Sequence, residues 1–124
     1  MAKLYFNSRD EMTCIDTDLI AVVQANGNYS RVIYITKREV MLSHGISRME
    51  EILNANKTPD NRFVRLGRSI LVNHRFFYKV DVTRQQVILS DGTKEEIRLK
   101  LPKNIVKTYQ KAIALSLEKK GGMV

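Results

Sequence analysis

Apolar and β-branched residues first gather in two short blocks, Leu19-Ile20-Ala21-Val22-Val23 and Arg31-Val32-Ile33-Tyr34-Ile35-Thr36. Between them Asn26-Gly27-Asn28 supplies residues that tolerate positive φ, so 18–36 predicts a β-hairpin. After Lys37-Arg38, the run Glu39-Val40-Met41-Leu42-Ser43 predicts a third strand. The period then changes. Met49, Ile52 and Leu53 recur at helical spacing, and Ser47-Arg48-Met49-Glu50 has the spacing of a capping box, so a short helix is expected here. Asn54 to Asn61, with Pro59 inside it, ends that helix. From Phe63 to Val82 the pattern is β again, broken at Gly67-Arg68-Ser69 and Asn73-His74-Arg75. Val87-Ile88-Leu89 and Glu95-Glu96-Ile97 flank Asp91-Gly92, a hairpin signal. Pro102 precedes a second helix whose residues Ile105, Tyr109, Ala112 and Ile113 share one face. These elements predict a mostly β, β-rich α+β domain of antiparallel strands, with a short middle helix and a C-terminal helix. No internal repeat or linker interrupts it. Residues 1–17 read as an N-terminal extension, 18–117 as the domain, and 118–124, with Gly121-Gly122, as a tail expected to fray.

Composition narrows the class. A chain of 124 residues, 44% of them hydrophobic, is enough for one globular core. No apolar run approaches the roughly 18 residues of a membrane span, and the N-terminus lacks the apolar segment of a secretory signal. Cys14 is the single cysteine, so no intrachain disulfide forms. The expected location is therefore the cytoplasm. Twenty-one Lys and Arg against thirteen Asp and Glu leave a formal charge of +8. Five cations between Arg62 and Lys79, and five more between Arg98 and Lys111, lie in windows that contain no acid. Either window alone reads as a solvated face. Two on one small domain favour a polyanionic partner. Lys103, Lys107 and Lys111 share a helical stripe, where like charges repel slightly and an anion would relieve them, although a solubilising face explains the stripe equally well.

Catalytic chemistry is not indicated. Nothing near Cys14 marks it as a nucleophile. His44 and His74 are thirty residues apart, with no Cys/His cluster to complete a metal set. His44 is expected at a strand end and His74 in a turn. No phosphate-cradling or dinucleotide glycine loop occurs. The crowded acids Asp10, Glu11, Asp16 and Asp18 fit a solvated edge. The chain is read as a non-enzyme with no cofactor, no metal and no small-molecule substrate.

The remaining candidates are loops bearing Arg, Asn and hydroxyl groups, which suit phosphate oxygens and base edges. They are Asn26-Gly27-Asn28-Tyr29-Ser30, Arg65-Leu66-Gly67-Arg68-Ser69 and Asn73-His74-Arg75. Each also has a backbone explanation, since Asn-rich turns are common and Asn73 is of a type that bridges loop backbone.

The order of these segments resembles the LytTR family, DNA-binding domains usually attached to bacterial response regulators. The resemblance runs from Asp18 to Lys111 and is carried by Asn28-Tyr29-Ser30, the short middle helix, the block Phe63-Val64-Arg65-Leu66-Gly67-Arg68-Ser69-Ile70-Leu71-Val72-Asn73, and a closing strand-turn-strand. It implies antiparallel strands whose loops enter successive grooves of double-stranded DNA and bend it. It further implies that Asn28, Tyr29 and Ser30 lie in a first DNA-facing loop. Arg65, Arg68 and Ser69 would form a second contact region, with Arg68 the base or phosphate reader. Asn73 would shape its turn, and Val64, Ile70 and Val72 would be core. Two departures stand out. A His frequent in the family is Gly67 here, and the final contact region, Ile97 to Lys103, has neither the family's Ser nor its Arg in register. Lys100, Lys103 and Lys107 are therefore read as phosphate contacts. With fewer than twenty residues before the match, no receiver domain precedes it in this sequence. The reading is thus a stand-alone, response-regulator-like bacterial transcriptional regulator that binds DNA sequence-specifically. Such domains commonly act on paired repeats, which implies a homodimer on DNA. The alternatives are an RNA-binding module, which would need Phe76, Phe77 and Tyr78 exposed for stacking rather than mainly buried, and a protein-interaction module that has lost DNA affinity.

Overall fold

Strand β3 (Ile20–Asn26) is apolar and fully buried over Ile20 to Val23, as a strand covered on both faces must be. It is the centre of the fold. The computed structural model describes residues 3–118 and 120–124. Around β3, a five-stranded antiparallel sheet runs in the order β5 (Glu39–Leu42), β4 (Tyr29–Tyr34), β3, β7 (Ile70–Asn73), β6 (Phe63–Leu66). One face is covered by helix α1 (Ile46–Ala55) and by the N-terminal hairpin of β1 (Lys3–Asn7) and β2 (Met12–Asp16). The other carries a three-stranded sheet, β8 (Phe77–Asp81), β9 (Gln86–Ser90) and β10 (Glu96–Lys100), together with helix α2 (Lys103–Glu118).

Side-chain alternation builds two cores, one on each face of the central sheet. Val23, Val32, Phe63 and Leu71 meet Ile46, Met49 and Leu53 of α1, while Val22, Leu66 and Val72 meet Val87, Leu89, Leu99 and Val106. Strand β3 serves both, and a bulge sets two of its successive residues on the same face. Its pairing with β4 skips Ala21 between Ile20↔Tyr34 and Val22↔Ile33, so Ala21 and Val22 both serve the α2 core.

The β-rich class read from the sequence is the class observed. One local expectation is corrected. The Ser47–Glu50 capping box does not form: α1 starts at Ile46 with Gly45 at its N-cap and no side-chain cap, which places Ser47 inside the first turn and frees Glu50 for a tertiary contact. The segment before Asp18 is a folded hairpin, with Ile15 fully buried and Leu4 and Phe6 packed on the α1 core. Asn73 shapes its turn as expected. It is buried, its Nδ2 donates to the Ile20 carbonyl (3.0 Å) and to Asn61 Oδ1 (3.0 Å), and its Oδ1 accepts from the Arg75 amide (3.2 Å). Asn61 in turn donates to Asp18, so a buried polar chain ties the start of β3 to the end of β7.

Candidate nucleic-acid interface

Pairing of β3 with β4 continues to Asn26↔Tyr29, leaving Gly27-Asn28 as a two-residue tip. Gly27 has φ +62, as the first central position of a type II′ hairpin requires. Asn26, Gly27, Asn28 and Tyr29 are exposed, with Tyr29 52% accessible. Pairing of β6 with β7 ends at Leu66↔Ile70, leaving Gly67-Arg68-Ser69 as a second exposed tip. Because Gln24 lies opposite Ile70, the two tips emerge side by side, and the Ala25 amide donates to the Ser69 carbonyl at 2.8 Å. The structure therefore brings Asn28, Tyr29, Arg68 and Ser69 to one end of the central sheet.

Two residues of the sequence-derived set are built in rather than presented. Ser30 is fully buried and its hydroxyl donates to the His44 carbonyl at 2.7 Å, so it anchors the strand after the tip and offers no free group there. Alternation explains this: Tyr29 points out and Ser30 points in. Arg65 is half-buried. Its guanidinium donates to Glu50 on α1 (Nη1 to Oε1, 2.7 Å) and to the carbonyl of Arg68 (Nη2, 2.7 Å), while Nε is buried without a partner. Arg65 thus braces the tip from within, and Arg68 is left free to project from it.

The third group comes from the other face. Ile105, in the first turn of α2, lies under Gly67, and a Cβ added at Gly67 would stand 2.8 Å from its Cδ1. Gly67 also has φ +69. A residue with a side chain there must bear the left-handed backbone and displace Ile105, which is the physical reason for glycine at this position. The contact brings the start of α2, with exposed Lys103 and Lys107, to the second tip. No acid lies in that first turn, so the positive helix end is reinforced by lysines, an arrangement that costs stability until an anion approaches. Lys100 is set slightly apart: its Nζ donates to the Arg84 carbonyl (3.0 Å) at the β8–β9 turn. Sequence reasoning missed Glu50, whose role depends on which face of α1 meets β6.

Away from the tips, Phe76 is buried, Phe77 half-buried and Tyr78 64% exposed, so the three aromatics make no shared stacking surface. His74 Nδ1 lies 2.7 Å from the Tyr109 hydroxyl. Burial, and secondarily the Arg62 charge, hold the His74 pKa below its ordinary value, while burial raises that of Tyr109. A tyrosine hydroxyl donating to a neutral imidazole satisfies both groups. Among the described residues no three His, Cys, Asp or Glu side chains cluster as a metal site, and no helix is long and apolar enough to cross a membrane.

No family model matches the chain, and no curated protein matches it in sequence. Its fold is similar to that of the LytTr DNA-binding domain of a Bacillus cereus protein described as a methyl-accepting/DNA response regulator. The TM-score is 0.59 at 15% identity, covering 91% of this chain and 97% of that one. The chain has the LytTR-type fold.

Proposed function

We propose that this chain binds double-stranded DNA through the two adjacent hairpin tips and the start of α2, as a sequence-specific transcriptional regulator of the bacterial cytoplasm. The observation that carries the reading is the junction of the tips. Asn28 and Tyr29 on one, and Arg68 and Ser69 on the other, project together from a fold shared with a DNA-binding domain. Arg68 is the base-reading candidate because a free guanidinium forks onto the O6 and N7 acceptors of guanine. Asn28 has the amide that pairs with adenine, and Tyr29 presents a ring and a hydroxyl. Lys103 and Lys107 are placed for phosphate, with Lys100 at the margin. Arg65 belongs to the interface as a positioning residue, and Ser30 falls outside it. Two copies on repeated sites are part of this reading, as the resemblance to the LytTR family implies. RNA binding by stacking on Phe76, Phe77 and Tyr78 lacks a platform, because only Tyr78 of the three is exposed.

Selection from a random duplex pool tests the proposal, followed by fluorescence anisotropy on the enriched and scrambled duplexes across roughly 50–200 mM salt. A short enriched motif whose advantage survives added salt supports specific readout. Weak binding that is equal for both duplexes and vanishes with salt would leave only a basic surface.

A further inference from the structure

A groove of about 1100 Å³ crosses the outer edge of β6, between the end of α1 and the C-terminal half of α2. It lies at the Phe63↔Asn73 end of the β6–β7 hairpin, whereas the second tip lies at the Leu66↔Ile70 end. Its walls hold Phe63, Phe77, Ile113 and Leu117, and around these stand Lys57, Arg62, Arg75 and Lys120 against a single acid, Asp60. Lys57, Arg62 and Lys120 form no ion pair with any described residue, and Arg75 reaches Asp18 only at 3.5 Å. Arg62 is close enough to influence both His74 and Tyr109 at the bottom of the groove, yet no carboxylate balances it.

We propose that this groove docks an acidic peptide segment of a partner protein, one that alternates carboxylates with apolar side chains. Three features choose this occupant. The cations are spread from the α1 end at Lys57 to the far end of α2 at Lys120, so several carboxylates are matched rather than one. From Tyr109 to Leu117 the α2 wall runs about 12 Å at 1.5 Å per residue, the reach of roughly four residues of extended chain. The apolar walls between the cations have nothing to meet on a phosphate backbone but would bury aliphatic or aromatic side chains. The site lies at the opposite end of β6 from the second tip, and the argument for it holds whether or not the tips read DNA.

A random peptide library displayed on phage, panned on the intact chain with excess duplex DNA present, tests the assignment. Enriched peptides are then synthesised and titrated into the isotope-labelled protein. The expected result is enrichment of sequences interleaving Glu or Asp with Leu, Ile or Phe. Amide shifts should centre on Arg62, Phe63, His74 and Ile113 and leave Asn28 and Arg68 unmoved. The double variant K57E/R62E should lower affinity about tenfold or more, roughly the effect of two lost charge contacts, while its amide spectrum stays native. Lys120→Glu serves the same purpose if that variant does not fold. Absence of enrichment, enriched peptides without acids, shifts at the tips, or a folded charge-reversed variant with full affinity would each overturn the proposal. So would displacement of the peptide by duplex DNA with shifts of the same groove amides, since the groove would then be a nucleic-acid surface.

Discussion

Arg65 and Arg68, three positions apart on one hairpin, are in opposite situations. Arg68 forms no ion pair with any described residue, while Arg65 is held by Glu50 and by the Arg68 carbonyl. Substituting each should therefore fail differently. Arg68→Ala is expected to leave stability within about 0.5 kcal/mol of wild type but to cost about 1–3 kcal/mol on the selected duplex and narrow the gap to scrambled DNA. Anisotropy on both duplexes, beside a urea melt, checks it; unchanged discrimination would remove Arg68 from base reading. Arg65→Ala leaves Glu50 and a carbonyl without their donor, so about 1–2 kcal/mol of stability should be lost along with the ordered tip. Gly67→Ala adds a Cβ at φ +69 above Ile105 and should cost about 1–2 kcal/mol by urea denaturation. His74 gives the fold a pH dependence of definite sign. Its folded pKa lies below the unfolded value, so the unfolded chain binds more protons as pH falls below about 6.5, and stability should decline there until the folded pKa is passed. Denaturation midpoints at several pH values compare wild type with His74→Gln, in which the part of the slope due to this group should vanish.

At the scale of elements, α2 is the clearest case of one sequence segment with two duties. Val106 and Tyr109 are buried in the core, and Lys103, Lys107 and Lys111 form an exposed stripe beside them. Lys107→Ala should weaken binding to selected and scrambled duplexes alike and lower the slope of log affinity on log salt by about 0.9. A loss confined to the selected duplex would contradict a phosphate role. The legibility of the chain follows the same division. Hairpins closed by Asn26-Gly27-Asn28 and Asp91-Gly92, and helices marked by Met49 and Leu53 or by Ile105 and Tyr109, could be read because period and turn chemistry are local. The N-terminal hairpin was not. Its buried face, Leu4, Phe6 and Ile15, is interleaved with exposed Tyr5, Met12 and Cys14, and only the α1 core decides which side turns inward. Ser47 and Glu50 matched a capping box by spacing, yet Arg65 on a distant strand competes for Glu50. The candidate site divides likewise. Its loops were visible as residue types, but the burial of Ser30 and the bracing role of Arg65 depend on strand facing and on partners far away in sequence.

Across the whole molecule, the central sheet separates two ends with different chemistry. The hairpin tips and the start of α2 occupy one, and the groove lined by Arg62, His74 and Ile113 opens near the other. The central sheet and helix α2, whose first turn meets the second tip and whose later turns wall the groove, are common to both ends. The hydrogen bond from the Ala25 amide to the Ser69 carbonyl has a geometric consequence for the tips. Two loops joined through the backbone cannot change their separation independently, and they act as the fixed jaws of a caliper. A duplex that suits one jaw must also present the second feature at the right distance and the right rotation. Since B-DNA turns once in about 10–10.5 base pairs, a single inserted pair rotates that feature by roughly 34–36° out of reach. On the proposed reading, helical phase as much as base identity is what this end of the molecule measures.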